Sequence, residues 1–291
     1  MESAFNLKNR LVLYGNLIRL SKQYGTLLLL FPALWSLLIA SNGRPPVHIL
    51  LIFVIGAFLM RSAGCVVNDI ADRNFDRLVD RTKERPLASG KLKVNEAFVV
   101  FACLSLAAFL LVLFLNPLTI LLSVIGILLA ITYPFIKRVS YLPQVFLGAA
   151  FGWGAIMAWT AVRNSIELTP ILIFIANIFW STGYDTIYAL MDKEDDQKAG
   201  VKSTAFLFGD YVFVITFILF LGVILSLTGV GVTASLGVIY YVSLLLATAL
   251  FLYQIVMIKK SPKRETFFFV FIFNVVVGAV VLFGLAVDLN S

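Results

Sequence analysis

Residues 47–76 read VHILLIFVIGAFLMRSAGCVVNDIADRNFD. From Val47 to Val67 the run is almost wholly apolar, with Arg61 its one formal charge. About 20 apolar residues is what a helix needs to cross the hydrocarbon layer of a membrane, so 47–68 reads as a transmembrane span. The run then ends in acid: Asp69, Asp72 and Asp76 stand at i, i+3 and i+7, which puts them on one face of a continuing helix. A lipid-crossing helix with a carboxylate stripe at one end is the unit from which the rest of the chain can be read.

Eight more segments of the same kind flank it, giving predicted spans at 24–41, 47–68, 94–115, 117–136, 141–162, 168–190, 211–230, 234–257 and 266–287. Of the 291 residues, 60% are hydrophobic and 13% charged, too few charges to cover a soluble domain of this length. The long continuous runs also exclude a β-barrel, whose strands alternate over about ten residues. The expectation is an all-α membrane protein, a bundle of nine transmembrane helices in a single domain spanning 1–291. Residues 1–23 interleave Lys8, Arg10, Arg19 and Lys22 with Leu and Phe, and no signal-peptide pattern appears; the segment reads as an amphipathic helix at the membrane surface.

The net charge of +7 suggests nucleic acid at first sight, but its carriers lie between hydrophobic spans. With the N-terminus inside, 20 Lys and Arg fall on inner segments and two, Arg44 and Arg163, on outer loops. That asymmetry predicts a cytoplasmic N-terminus in a membrane such as the bacterial inner membrane, with no nucleic-acid partner and no protein partner evident. Cys65 and Cys103 lie in apolar runs and read as small buried hydrophobes, and no catalytic role is expected of His48 in its outer loop.

Ten of the 16 acidic residues fall in two windows, 69–84 and 185–196, each starting at the inner end of a span. In the second window Asp185, Asp192 and Asp196 stand at i, i+7 and i+11, again on one helical face. Two such stripes on one side of a membrane repel unless a cation lies between them, and carboxylates suit a hard ion such as Mg²⁺. Arg77, Arg81, Lys83 and Arg85 follow the first window, Lys198 and Lys202 the second. Acids for Mg²⁺ beside bases for phosphate oxygens describe a site for a Mg²⁺–diphosphate complex. A Gly-rich phosphate loop is absent, so a nucleotide is not indicated.

The patterns Asn68-Asp69-x-x-Asp72-x-x-x-Asp76 and Asp185-x-x-Tyr188-Ala189-x-x-Asp192-x-x-x-Asp196 resemble the paired motifs of the UbiA superfamily of intramembrane prenyltransferases. Flanking stretches, including Arg81-Thr82-Lys83-Glu84-Arg85-Pro86 and Tyr133-Pro134-Phe135-Ile136-Lys137-Arg138, are most similar to its 4-hydroxybenzoate polyprenyltransferases. The resemblance runs from about residue 10 to the last span and implies helices around a central cavity capped by the motifs at 68–85 and 185–204. It implies Mg²⁺ on Asp72, Asp76, Asp192 and Asp196, with Asn68 and Asp69 in support. Tyr188 joins the substrate site, and Arg77, Lys83, Lys198 and Lys202 hold the diphosphate. Transfer of a polyprenyl group from polyprenyl diphosphate to the ring of 4-hydroxybenzoate, in ubiquinone biosynthesis, would follow. Arg138 or Arg61 would pair with the acceptor carboxylate, and Asp185 would orient the acceptor or assist its deprotonation. The residues themselves leave two rivals: a sister enzyme taking dihydroxynaphthoate, homogentisate or haem, and a cation transporter. The second fits poorly, because acid lies at one end of the spans only.

Overall fold

The structure, a computed structural model, describes residues 2–193, 200 and 202–291, with 2–8 described by backbone alone. Among the described residues it is all-helical and without strands. The helices are α1 (Glu2–Leu17), α2 (Tyr24–Ala40), α3 (Val47–Asp72), α4 (Val94–Val112), α5 (Pro117–Val139), α6 (Pro143–Arg163) and α7 (Leu168–Ala189). A short α8 (Thr204–Phe208) leads to α9 (Val212–Thr233), α10 (Val238–Lys260) and α11 (Arg264–Asp288). Every predicted span coincides with a helix to within a few residues. Seven helical stretches are long and apolar enough to cross a membrane: α3, α4, α5, α6, α8 with α9, α10 and α11. The predicted count of nine is not reached on that measure, for two reasons. Helix α2 has only 17 residues, and α7, at 22, carries Asn177, Tyr184 and Asp185 among its apolar positions.

Local sequence sets the helix ends. Asn116 caps α5 by accepting a hydrogen bond from the Thr119 amide at 3.0 Å, and Pro117 follows in the first turn, where its missing N–H costs nothing. Asn164 closes α6 in a left-handed conformation at φ 54°. The N-terminal segment is helical from Glu2 to Leu17 as α1, which is tied to α4 by Arg10 and Tyr14, both on Glu96.

The outward faces are apolar: Leu121, Leu128, Leu225, Leu245 and Phe283 are each more than half exposed, a surface that needs lipid. In lipid little hydrophobic force acts between helices, so close approach and buried polar links carry the packing. At the centre Trp35 stacks on Trp180 with ring centroids 5.4 Å apart, and Trp180 Nε1 donates to Asn274 Oδ1 at 2.8 Å. Gly148 lets α6 lie against α7: a Cβ there would sit 2.8 Å from Ile178 Cα and 3.0 Å from its carbonyl oxygen. Backbone cannot step aside as a side chain can. Gly148→Ala is therefore expected to destabilise the bundle by about 1–3 kcal/mol, the usual cost of overpacking. Gly56→Ala, whose new methyl meets nothing within 4 Å, should leave the melting curve unchanged, and thermal unfolding of both variants in detergent checks the contrast.

Helix α4 packs on α3 and α5 on α6, while α4 and α5 touch each other little. Between the two pairs the bundle holds a cavity of about 1020 Å³, which runs from the charged ends of α3 and α7 down to Ala33, Leu115 and Met157.

Candidate active site

One end of the cavity is built from segments far apart in sequence. Helix α3 supplies Arg61, Asn68 and Asp69, and α7 supplies Asp185 and Tyr188. The loop after α3 folds back over the mouth and brings Arg81, Glu84 and Arg85, while the α1–α2 connection brings Arg19 and Lys22. Arg19 takes a left-handed backbone at φ 57°, which turns the chain sharply between the two helices. The loop is held by its own bonds: Thr82 Oγ1 donates to the Asp76 carbonyl at 3.0 Å and Arg77 Nε to the Ala88 carbonyl at 2.8 Å.

Four of the five motif aspartates within the described residues, Asp69, Asp72, Asp76 and Asp192, are met by a cation. Asp69 accepts from Arg19 at 2.6 Å and from Arg85 at 3.3 Å, and Asp76 from Arg85 at 2.9 Å. Asp72, 2% exposed, holds Lys137 from the end of α5. Asp192 joins the two motifs: Arg81 Nε reaches its two oxygens at 2.8 and 3.1 Å, and Arg264 at the start of α11 takes Oδ1 at 2.6 Å. Arg81 also donates to the Tyr188 hydroxyl at 2.9 Å and lies over that ring. Burial pulls the Asp192 carboxyl up, but the hydrogen bonds and charge of Arg81, then of Arg264, outweigh it and hold it below the ordinary carboxylate range. Burial likewise works against the Arg85 charge, and Asp69 and Asp76 more than offset it.

Among the described residues the cavity wall nevertheless carries more base than acid. Five cations line the cavity, Arg19, Lys22, Arg61, Arg81 and Arg85, against Asp69, Glu84 and Asp185. Lys22 registers the excess: burial first, then Arg19, Arg81, Arg85 and Arg61, push its ammonium below the ordinary lysine value. Such a mouth calls for a polyanion.

The carboxylates also fit a metal. Asp69 Oδ2 and Asp72 Oδ1 are buried acceptors with no hydrogen-bond partner among the described residues, an expensive state that a cation relieves. Hard carboxylate oxygens suit Mg²⁺, which typically takes one or two of them and completes its shell with water and phosphate. No cluster of three acidic, His or Cys ligands occurs among the described residues.

The expected site residues divide in three. Asn68, Asp69, Asp185, Tyr188 and Arg61 share the cavity wall. Asp72, Asp76 and Asp192 stand just behind it in ion pairs. Four others point elsewhere: Arg77 braces its loop, Lys83 pairs with Asp80, Arg138 bonds the Ala71 carbonyl between Phe75 and Phe135, and Lys202 lies over Tyr141. Asp196 and Lys198 lie outside the described residues. Arg19, Lys137 and Arg264 hold three of the aspartates; in sequence Arg19 and Arg264 are legible only as part of the basic excess at span ends, and Lys137 only within a stretch that resembles the family.

A helical bundle whose cavity is apolar within and cationic at the mouth, with two aspartate stripes beside it, defines an intramembrane enzyme for lipid diphosphates. Residues 29–275 match the UbiA prenyltransferase family, and the chain belongs to that family. It is 50% identical over 281 residues to the 4-hydroxybenzoate octaprenyltransferase of Escherichia fergusonii, an alignment covering 97% of each chain. Among solved structures it is similar to a UbiA homolog from Aeropyrum pernix K1, with a TM-score of 0.77, 27% identity, and coverage of 89% of this chain and 97% of that one. A UbiA homolog from Archaeoglobus fulgidus bound to GPP and Mg²⁺ shares the fold at a TM-score of 0.70 and 18% identity, over 92% of this chain and 99% of that one. The chain is an integral membrane prenyltransferase.

Proposed function

We propose that this protein transfers a polyprenyl group from its diphosphate to the ring of 4-hydroxybenzoate, a step of ubiquinone biosynthesis. The observation that carries the reading is the shape and charge of the cavity: an apolar chamber of about 1020 Å³ behind a cationic mouth, the mould of a lipid diphosphate. Leu106, Phe109 and Val124 line the chamber where α4 and α5 diverge, and this gap admits a long tail from the lipid. The 50% identity to a 4-hydroxybenzoate octaprenyltransferase supports the acceptor assignment.

The head group is held by Arg81 and Arg85 with Arg19 and Lys22, all on the wall of the mouth. Asp72, Asp76, Asp192 and Asp196 are the ligands proposed for Mg²⁺, with Asn68 and Asp69 in support. Mg²⁺ bound there supplies neutralisation of the diphosphate leaving group. The residues then favour an allylic C–O cleavage in which both bonding electrons leave with the diphosphate. The electron-rich ring carbon ortho to the hydroxyl bonds to the allylic carbon, and a base takes the proton from that ring carbon. Asp185, on the wall and free of hydrogen bonds among the described residues, is placed to hold the acceptor hydroxyl. Arg61, deeper in the same wall, pairs with the carboxylate; Arg138, engaged outside the chamber, is the weaker candidate for that pairing. The apolar lining keeps water from the reacting carbon.

Helices α2 and α7 complete nine spans in this reading, and the basic excess sets the N-terminus and the motif loops in the cytoplasm. Membranes containing the protein should convert labelled 4-hydroxybenzoate and a polyprenyl diphosphate into a lipid-soluble, ring-prenylated product with Mg²⁺ and not with EDTA. Product from dihydroxynaphthoate or homogentisate in place of 4-hydroxybenzoate would reassign the acceptor.

A further inference from the structure

Arg61 lies 11 residues before the end of α3, about 16 Å along a helix axis from Asp72 and well inside the apolar part of the bundle. A guanidinium at that depth is costly unless something holds it. Its hydrogen bond within the described residues is weak in kind: Nη1 donates to Cys65 Sγ at 2.7 Å, one turn along the same helix. It has no ion pair among the described residues, so its charge is left to the chamber.

Its position is set from the opposite wall. A Cβ on Gly25, in the first turn of α2, would come within 2.8 Å of Arg61 Nη2, 2.9 Å of Nε and 3.3 Å of Cζ. The plane of the guanidinium thus occupies the space a side chain at position 25 would fill. The other glycines on the cavity wall differ. Gly56 and Gly64 face open space, Gly126 meets Trp153 and Gly154 meets the Ala33 methyl. Gly25 has an ordinary helical backbone and needs no conformational freedom. What distinguishes the position is the room it leaves for a charge.

We propose that Gly25 is the positioning residue that seats Arg61, and so determines the enzyme's preference for an acceptor bearing a carboxylate. The inference rests on the reading of Arg61 given above. A methyl at position 25 collides with the far end of a flexible side chain and not with backbone. The guanidinium is therefore displaced while α2 and α3 keep their packing. The chamber retains its diphosphate site and loses the aim of its acceptor site.

The test compares Gly25→Ala, Arg61→Ala and the double variant in detergent-solubilised or membrane-embedded full-length protein. Acceptor KM is measured for 4-hydroxybenzoate and for uncharged 4-hydroxybenzamide, together with KM for the prenyl diphosphate and the melting temperature. Loss of one charge-assisted hydrogen bond corresponds to about a 10- to 100-fold rise in KM for 4-hydroxybenzoate. Gly25→Ala should show that rise, a KM for the amide and for the diphosphate within about twofold of wild type, and an unchanged melting temperature. In the Arg61→Ala background it should add nothing, because the group it moves is gone. If Arg61→Ala raises the acceptor KM and Gly25→Ala does not, the positioning role is overturned while the role of Arg61 stands. If Arg61→Ala leaves the preference for the carboxylate intact, the reading of Arg61 fails first. A Gly25→Ala variant that melts lower and weakens both substrates equally assigns the glycine to packing and also overturns the proposal.

Discussion

Asp72→Ala is expected to lower prenyl transfer per folded molecule by about a thousandfold, the scale on which a preorganised group acting on developing charge is missed. Three features place so large an effect here. Asp72 is 2% exposed and ends α3 on the face it shares with Asp69. One of its oxygens is buried and without a partner among the described residues, ready for a cation. The other holds Lys137, so the substitution also leaves an ammonium facing an empty site beside the intended Mg²⁺. Breaking a buried pair costs about 3–5 kcal/mol, and part of that will appear as lost stability, reduced because Lys137 keeps some solvent. The isosteric Asp72→Asn variant separates the two effects. It keeps the volume and one acceptor, so it should restore most of the melting temperature and little of the activity. Initial rates with labelled acceptor, normalised to folded protein from size-exclusion chromatography, are the measurement. If Asp72→Asn regains near-wild-type turnover, the carboxylate charge is not needed and the Mg²⁺ assignment fails.

The second large effect is expected at Arg81, a residue that paired motifs alone do not single out. Its guanidinium grips both oxygens of Asp192, reaches the Tyr188 hydroxyl, lies over that ring and lines the mouth of the cavity. It thus ties the loop that follows the first motif to the second motif by direct hydrogen bonds. Its removal takes away a phosphate donor and also releases Asp192 to Arg264 alone. Arg81→Ala should reduce kcat/KM for the prenyl diphosphate by about 100-fold or more, in line with two charge-assisted hydrogen bonds. The KM for 4-hydroxybenzoate should stay within about threefold, because Arg61 and Asp185 remain. Arg81→Lys should rescue poorly, since an ammonium cannot reproduce a fork that engages a carboxylate and a hydroxyl at once. Steady-state kinetics with each substrate varied in turn distinguishes these outcomes. A variant that loses acceptor affinity and keeps diphosphate affinity would place Arg81 on the wrong substrate.

Both predictions concern charges that the sequence reading had found and had not connected. Hydropathy and helical spacing are properties of neighbouring residues, and they were enough to place every long helix to within a few positions. They also put Asp69, Asp72 and Asp76 on one face, because α3 continues as a helix to Asp72 and its next turn keeps Asp76 buried. Where composition is mixed, length and hydropathy alone mark a span less clearly, although the helix itself falls where the sequence predicts it. Helix α7 carries Asn177 and Tyr184 to make contacts inside the bundle, and those same residues dilute the signal of a lipid-crossing span.

The partners of the aspartates belong to a different kind of information. Arg19 meets Asp69 across 50 residues, Lys137 meets Asp72 across 65, Arg264 meets Asp192 across 72 and Arg81 meets Asp192 across 111. In the sequence these four bases look like Arg77, Lys83 and Lys202, because every basic residue near the inner end of a span adds equally to the charge asymmetry. Only the folded bundle separates bases that meet a motif aspartate from bases that brace a loop or lie over an aromatic ring. The same holds for Gly25, an unremarkable helical residue until α3 is laid beside it. The sequence by itself determined the membrane, the helices and the chemistry of the two acidic stripes, since these follow from local composition and the 100° turn of a helix. The tertiary structure alone decided which cation answers which carboxylate and where the one deep guanidinium points, because those choices are made by surfaces that meet only when distant segments pack.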